Sequence, residues 1–127
     1  MSIDQLESIA QAMVAAGKGI IAIDESNATI KKRFDGVGVE NSEENRRAYR
    51  EMLLTTPHLG EHISGAILYD ETLRQSTRAG VPFTKVMLDN GILPGIKVDK
   101  GPQPLAGFPG ELVTEGLDGL RDRLKEY

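Results

Sequence analysis

The chain has 127 residues, with 15 Lys and Arg against 19 Asp and Glu, a net charge of −4 and 39% hydrophobic residues. That length fits one domain or part of one, the apolar content is too high for disorder, and the acidic balance disfavours a nucleic-acid partner. With no cysteine and two histidines, disulfides, thiolate nucleophiles and Cys- or His-rich metal sites are excluded.

In chain order, residues 2–16 read as a helix. Leu6, Ile9, Ala10, Met13 and Val14 recur at helical spacing, Ser2 with Gln5 forms a capping-box pattern, and Gly17 is a stop signal. The opening Met1-Ser2-Ile3-Asp4 lacks the basic-then-apolar order of a secretory signal. No apolar run approaches the ~18–20 residues of a membrane span. The expectation is a cytoplasmic protein with no membrane partner.

Gly19 to Asp24 is a short apolar run, as expected of a strand buried on both faces of a parallel sheet. It ends abruptly in Asp24-Glu25-Ser26-Asn27. Thr29 to Phe34 reads as a short helix, basic towards its end at Lys31, Lys32 and Arg33. Residues 42–54 form a better helix, capped by Asn41 or Ser42, with Glu43 and Glu44 ahead of Arg46, Arg47 and Arg50, an order that suits the helix dipole. Ile63 to Tyr69 is a second buried strand, and Pro82 opens a helix to about Leu88. Ile96 to Lys100, with alternating polarity, is a third strand. Residues 101–110, rich in Gly and Pro, are a loop or small hairpin. Leu117, Leu120, Leu124 and Tyr127 then return to helical spacing. Strands alternating with helices point to a parallel α/β architecture, and no repeat or linker divides the chain.

Two polar positions stand out against this framework. Asp24 follows a buried strand, a placement α/β folds use for ligands. It can serve as a general acid/base or hold an ammonium; the structural alternative is a helix cap or turn residue. Lys97 lies within the third strand, between Ile96 and Val98. A lysine facing the interior must be paired or functional, since burying a lone ammonium is costly. It can pair with Asp24, touch a phosphate or form an imine; the alternative is an edge lysine reaching solvent. The run Lys31-Lys32-Arg33 suits an anionic substrate group, with Arg33 best shaped for bidentate phosphate contact, or is simply a solvated helix face. Ser26 and Thr29 are either phosphate donors or helix caps. No P-loop or dinucleotide fingerprint is present.

Several longer strings occur together and in order. They are Gly17-Lys18-Gly19-Ile20-Ile21-Ala22-Ile23-Asp24-Glu25-Ser26, Glu40-Asn41-Ser42-Glu43-Glu44-Asn45-Arg46-Arg47, Gly65-Ala66-Ile67-Leu68-Tyr69-Asp70-Glu71-Thr72-Leu73, Gly95-Ile96-Lys97-Val98-Asp99-Lys100-Gly101 and Thr114-Glu115-Gly116-Leu117-Asp118-Gly119-Leu120. Over nearly the whole chain this sequence resembles class I fructose-bisphosphate aldolase. The resemblance implies a (β/α)8 barrel of the TIM-barrel family, here its first three or so βα units with an N-terminal helix, as residues 1–127 of a single barrel domain. It implies a Schiff-base lyase of glycolysis and gluconeogenesis that needs neither cofactor nor metal. Its substrates would be fructose 1,6-bisphosphate and the triose phosphates, and the full-length parent would be a homo-oligomer.

By the same resemblance, Asp24 and Lys97 match active-site positions of the family, and Ser26, Thr29 and Arg33 match substrate-binding ones. Thr29 stands where many members have Ser and keeps the hydroxyl. The family's imine-forming lysine, its paired glutamates and its second phosphate site match nothing in this chain. A complete barrel takes typically ~250 residues. The expectation is therefore a portion of a barrel, inactive alone and with exposed strand edges prone to association. The alternative is a non-catalytic stand-alone protein, derived from the aldolase barrel, that binds sugar phosphates or a partner.

Overall fold

The computed structural model describes residues 2–127. They fall into two compact units, one ending at Lys97 and one spanning Val98–Tyr127.

The first unit opens with α1 (Ile3–Met13). Its capping box forms as its residues predict: Ser2 Oγ accepts from the Gln5 amide at 3.3 Å, and Gln5 Oε1 accepts from the Ser2 amide at 2.8 Å. The helix ends three residues before the expected boundary, and Gly17 follows with φ 76° in the chain reversal. None of its residues is buried, and Leu6 and Ile9 remain 53% and 43% exposed.

Three parallel strands follow: β1 (Gly19–Ile23), β2 (Ile63–Leu68) and β3 (Leu93–Ile96), in the order β1-β2-β3. Ile23 pairs with Leu68, and Leu68 with Ile96, so the three strands end on one level. Only the central β2 has partners on both sides, and its Ser64, Gly65, Ala66 and Leu68 are buried. The expectation that β1 is buried on both faces is corrected: it is an edge strand, Ile23 alone is buried, and Ile20 is 47% exposed.

The third strand is also corrected. It runs from Leu93 to Ile96 and not from Ile96 to Lys100. Pro94 and Gly95 lie inside it; an edge strand bonded on one side tolerates the missing N–H of proline.

Helices α2 (Asn27–Asp35), α3 (Glu43–Leu54) and α6 (Phe83–Asp89) connect the strands, with single turns α4 (Leu59–His62) and α5 (Asp70–Leu73) before and after β2. Ser26 caps α2 and Ser42 caps α3, each accepting from the amide three residues on. Pro82 stands just before α6, where its fixed φ and missing N–H cost nothing. The core comprises Ile23, Leu54, Ala66, Leu68, Phe83, Met87 and Ile92. Each large apolar side chain buried there contributes ~1.5–3 kcal/mol from area removed from water.

The small residues of β2 let α1 end against the sheet. A Cβ on Gly65 would collide with Met13 Sδ. The Ser64 hydroxyl lies 2.5 Å from the Met13 carbonyl and 3.2 Å from the Gly19 carbonyl.

The second unit contains an antiparallel hairpin, β4 (Gly101–Pro104) with β5 (Leu112–Glu115), and then α7 (Leu120–Glu126). Within it the Lys100 amide donates to the Glu115 carbonyl at 2.8 Å, and Arg123 Nη2 to the Gly116 carbonyl at 2.6 Å. No side chain in it is buried. No helix among the described residues is long and apolar enough to cross a membrane.

Candidate functional site

In a parallel sheet the residues that follow the strands emerge together at one end. Here Asp24, Tyr69 and Lys97 each come one residue after the last paired level of Ile23, Leu68 and Ile96. The Lys97 amide donates to the Leu68 carbonyl at 2.9 Å and so prolongs the ladder. Lys97 is thus a strand-end residue with a half-buried side chain, not the mid-strand residue expected from its alternating neighbours. Asp24 is also half-buried, and its carboxylate accepts no hydrogen bond from the described residues. Adjacent strands lie ~4.8 Å apart, so the two backbones stand ~10 Å apart across β2.

The structural alternative for Asp24, capping the next helix, is taken up by Ser26 instead. Ser26 Oγ accepts from the Thr29 amide at 3.4 Å and shares a 3.2 Å hydrogen bond with Thr29 Oγ1. Both hydroxyls therefore organise the start of α2. Along α2, Ile30 and Phe34 are buried, which turns Thr29 and Arg33, four residues apart, outward along one edge. Ser26, Thr29 and Arg33 form a polar row beside the strand-end level. The rest of the basic run is dispersed: Lys31 pairs with Asp35 at 2.6 Å, and Lys32 is exposed.

Arg33 has an exposed side chain but fixed partners. Its Nη1 donates to Glu25 Oε1 and, at 3.2 Å, to the Tyr49 hydroxyl. Behind Glu25 lies Arg50, buried to 3% exposure. Arg50 Nη2 donates to the Glu25 carbonyl at 3.0 Å and stands 3.0 Å from Glu25 Oε2. Burial pushes the Arg50 guanidinium below its ordinary value, and the Glu25 charge opposes that shift. The Arg50 guanidinium carbon also lies 5.2 Å from the centre of the Tyr49 ring, which meets Phe34 edge-on at 5.9 Å.

A second ion pair braces the same end of the sheet. Arg46 grips Glu71 with two bonds of 2.8 Å, from Nε and Nη2, and donates from Nη1 to the Asn41 carbonyl at 2.9 Å. The bonds from Arg46 hold the Glu71 carboxyl below the usual carboxylate range, and Glu71 in turn raises Arg46. Asn41 Nδ2 donates to the Asn27 carbonyl at 3.3 Å, joining the start of α2 to the segment before α3.

Read as a sequence, Arg46 and Arg50 were ordinary helix-dipole cations, and Glu25 and Glu71 had no assigned partner. Their i,i+4 spacing on α3, with an acid just after each of the first two strands, was the available signal. Chemically, this end of the sheet offers a carboxylate, an amine, two hydroxyls and an oriented guanidinium, a set suited to a polar, anionic ligand.

Residues 5–127 match the family described as fructose-bisphosphate aldolase class-I. A probable fructose-bisphosphate aldolase class 1 of Xanthomonas campestris pv. campestris is 76% identical over the whole chain, which covers 38% of that relative. A chloroplastic fructose-bisphosphate aldolase 1 of Chlamydomonas reinhardtii is 56% identical over 98% of this chain and 33% of its own length. Fructose-bisphosphate aldolase from Plasmodium falciparum, solved in complex with TRAP and a small-molecule inhibitor, superposes with a TM-score of 0.95 at 52% identity, over 98% of this chain and 36% of that one. The chain thus spans little more than a third of the length of the relatives it matches.

Proposed function

The chain belongs to the class I fructose-bisphosphate aldolase family, and from that premise we propose that it supplies one side of a sugar-phosphate lyase site. Its three parallel strands with their helices are a portion of the family's (β/α)8 barrel. The parent reaction is the reversible, Schiff-base cleavage of fructose 1,6-bisphosphate to dihydroxyacetone phosphate and glyceraldehyde 3-phosphate. The observation that carries the reading is the shared strand-end level of Asp24 and Lys97, with the Ser26–Thr29–Arg33 row beside it.

Each residue has a role that its chemistry permits. Asp24, without a protein hydrogen-bond donor, accepts and returns protons at the substrate. Lys97 places a positive charge on the opposite side of β2, where it holds substrate oxygens. Arg33 offers two parallel N–H bonds to a phosphate, and the Ser26 and Thr29 hydroxyls add donors. None of these groups supplies the electron sink that carbon–carbon cleavage needs. That sink is an imine between a lysine and the substrate ketone, and the resemblance assigns the imine lysine to none of these 127 residues. The chain on its own therefore binds and orients but does not cleave.

Borohydride trapping tests this directly. The purified chain is incubated with dihydroxyacetone phosphate, reduced, and its intact mass read. No mass gain is expected. A stoichiometric gain mapped to Lys97 or another lysine would overturn the division of roles and make the chain a lyase in its own right.

A further inference from the structure

A flexible arginine on a helix surface binds an anion weakly, because fixing its four side-chain torsions costs up to ~2 kcal/mol. Arg33 is exposed, yet both hydrogens of its Nη1 are engaged, one by Glu25 Oε1 and one by the Tyr49 hydroxyl. Among the described residues nothing accepts from its Nε or Nη2. Those are the two donors that make a bidentate contact with a phosphate.

The two groups that hold Nη1 are themselves held. Tyr49 is packed between the Phe34 ring and the Arg50 guanidinium. Glu25 is tied through its carbonyl to Arg50, and its carboxylate lies against the same guanidinium at 3.0 Å. Arg50 is almost wholly buried, so it anchors the arrangement from below.

We propose that Tyr49, with the Arg50-anchored Glu25, is a positioning residue that clamps Arg33 by Nη1 and presents its Nε/Nη2 edge to a phosphate group of the substrate. The proposal deepens the reading of Arg33 given above and rests on it. Tyr49 touches no substrate; it acts only through Arg33. Losing its hydroxyl frees one face of the guanidinium, and the anion must then immobilise the side chain itself.

The test uses Tyr49→Phe, which keeps the ring against Phe34 and Arg50 and removes only the hydroxyl. Inorganic phosphate is titrated into the full 127-residue chain, with the Arg33 Nε–H resonance followed by NMR and thermal unfolding run alongside. Tyr49→Phe is expected to weaken phosphate binding about threefold to tenfold, to speed rotation of the Arg33 guanidinium, and to leave the melting temperature within a degree or two. Arg33→Ala is expected to weaken binding by more than Tyr49→Phe does. In the Arg33→Ala background, Tyr49→Phe should have no further effect. If Arg33→Ala leaves phosphate affinity unchanged, Arg33 is not the phosphate ligand, and both readings fall. If Arg33→Ala weakens binding and Tyr49→Phe does not, only the clamp is overturned. A Tyr49→Phe loss that persists without Arg33 also overturns it, by showing that Tyr49 acts on the fold generally.

Discussion

The first unit and the second reach order by different routes. Up to Lys97, three strands and their helices enclose a core in which Leu68, Phe83, Met87 and Ile92 have no exposed surface. From Val98 onwards a hairpin and a helix form with no buried side chain, and Leu117 and Phe108 are 85% and 61% exposed. Segments this short do not bury enough apolar surface to offset their own ordering. Regular hydrogen bonding is therefore no guide to stability: both units have it, and only the first has an interior to protect it.

Core truncation should separate the two units most sharply. Phe83→Ala is expected to cost about 3–5 kcal/mol, a large share of the first unit's stability, as read by urea titration. A second substitution, Glu71→Gln, breaks the Arg46 fork and should cost about 2 kcal/mol. The fork also gives the first unit an acid dependence. The folded carboxyl of Glu71 lies below its ordinary 4.5, so the unfolded chain takes up the proton first. Its stabilisation is complete above that value and drains as pH falls through the folded one. Melting curves of Glu71→Gln should accordingly depend less on pH below about 5 than those of the unsubstituted chain.

Ser42→Ala removes the cap of α3 and should lower stability by about 1 kcal/mol, with the loss showing as fraying of 43–46 in hydrogen exchange. Leu117→Ala in the second unit should change stability by less than about 0.5 kcal/mol, because its side chain is exposed. A loss above 2 kcal/mol there would erase the contrast and show that the second unit is structurally coupled to a core. Amide exchange sets the same comparison on one scale: the β2 amides should be protected to the global limit, and those of β4 and β5 hardly at all.

Much of the first unit was legible in the sequence, for local reasons. Continuous apolar runs marked β1 and β2, and the Ser2 and Ser42 caps bounded two helices. What failed was long-range. Whether β1 is central or at an edge depends on its neighbours, which no local run encodes. Pro94 and Gly95 hid β3, while Ile96-Lys97-Val98-Asp99-Lys100 imitated a half-buried strand. The single turns α4 and α5 are too short to show a period. In the site, Asp24 and Arg33 drew notice by their position after a strand. The clamp did not, since Tyr49 and Arg50 lie 16 and 25 residues from the groups they hold.

Ser64 gives the molecule an order of assembly. Its hydroxyl engages carbonyls 51 and 45 residues earlier in the chain, on Met13 and Gly19. Neither contact can form until β2 has come back to the start of the chain, so the end of α1 is fastened by a long-range closure and not by local structure. Interactions absent from the transition state govern the rate of escape from the native basin and not the rate of entry. Ser64 is a latch whose time of closing a chevron of Ser64→Ala reads directly: an unfolding limb that rises over an unchanged folding limb places it after the barrier, and a slowed folding limb places it in the nucleus.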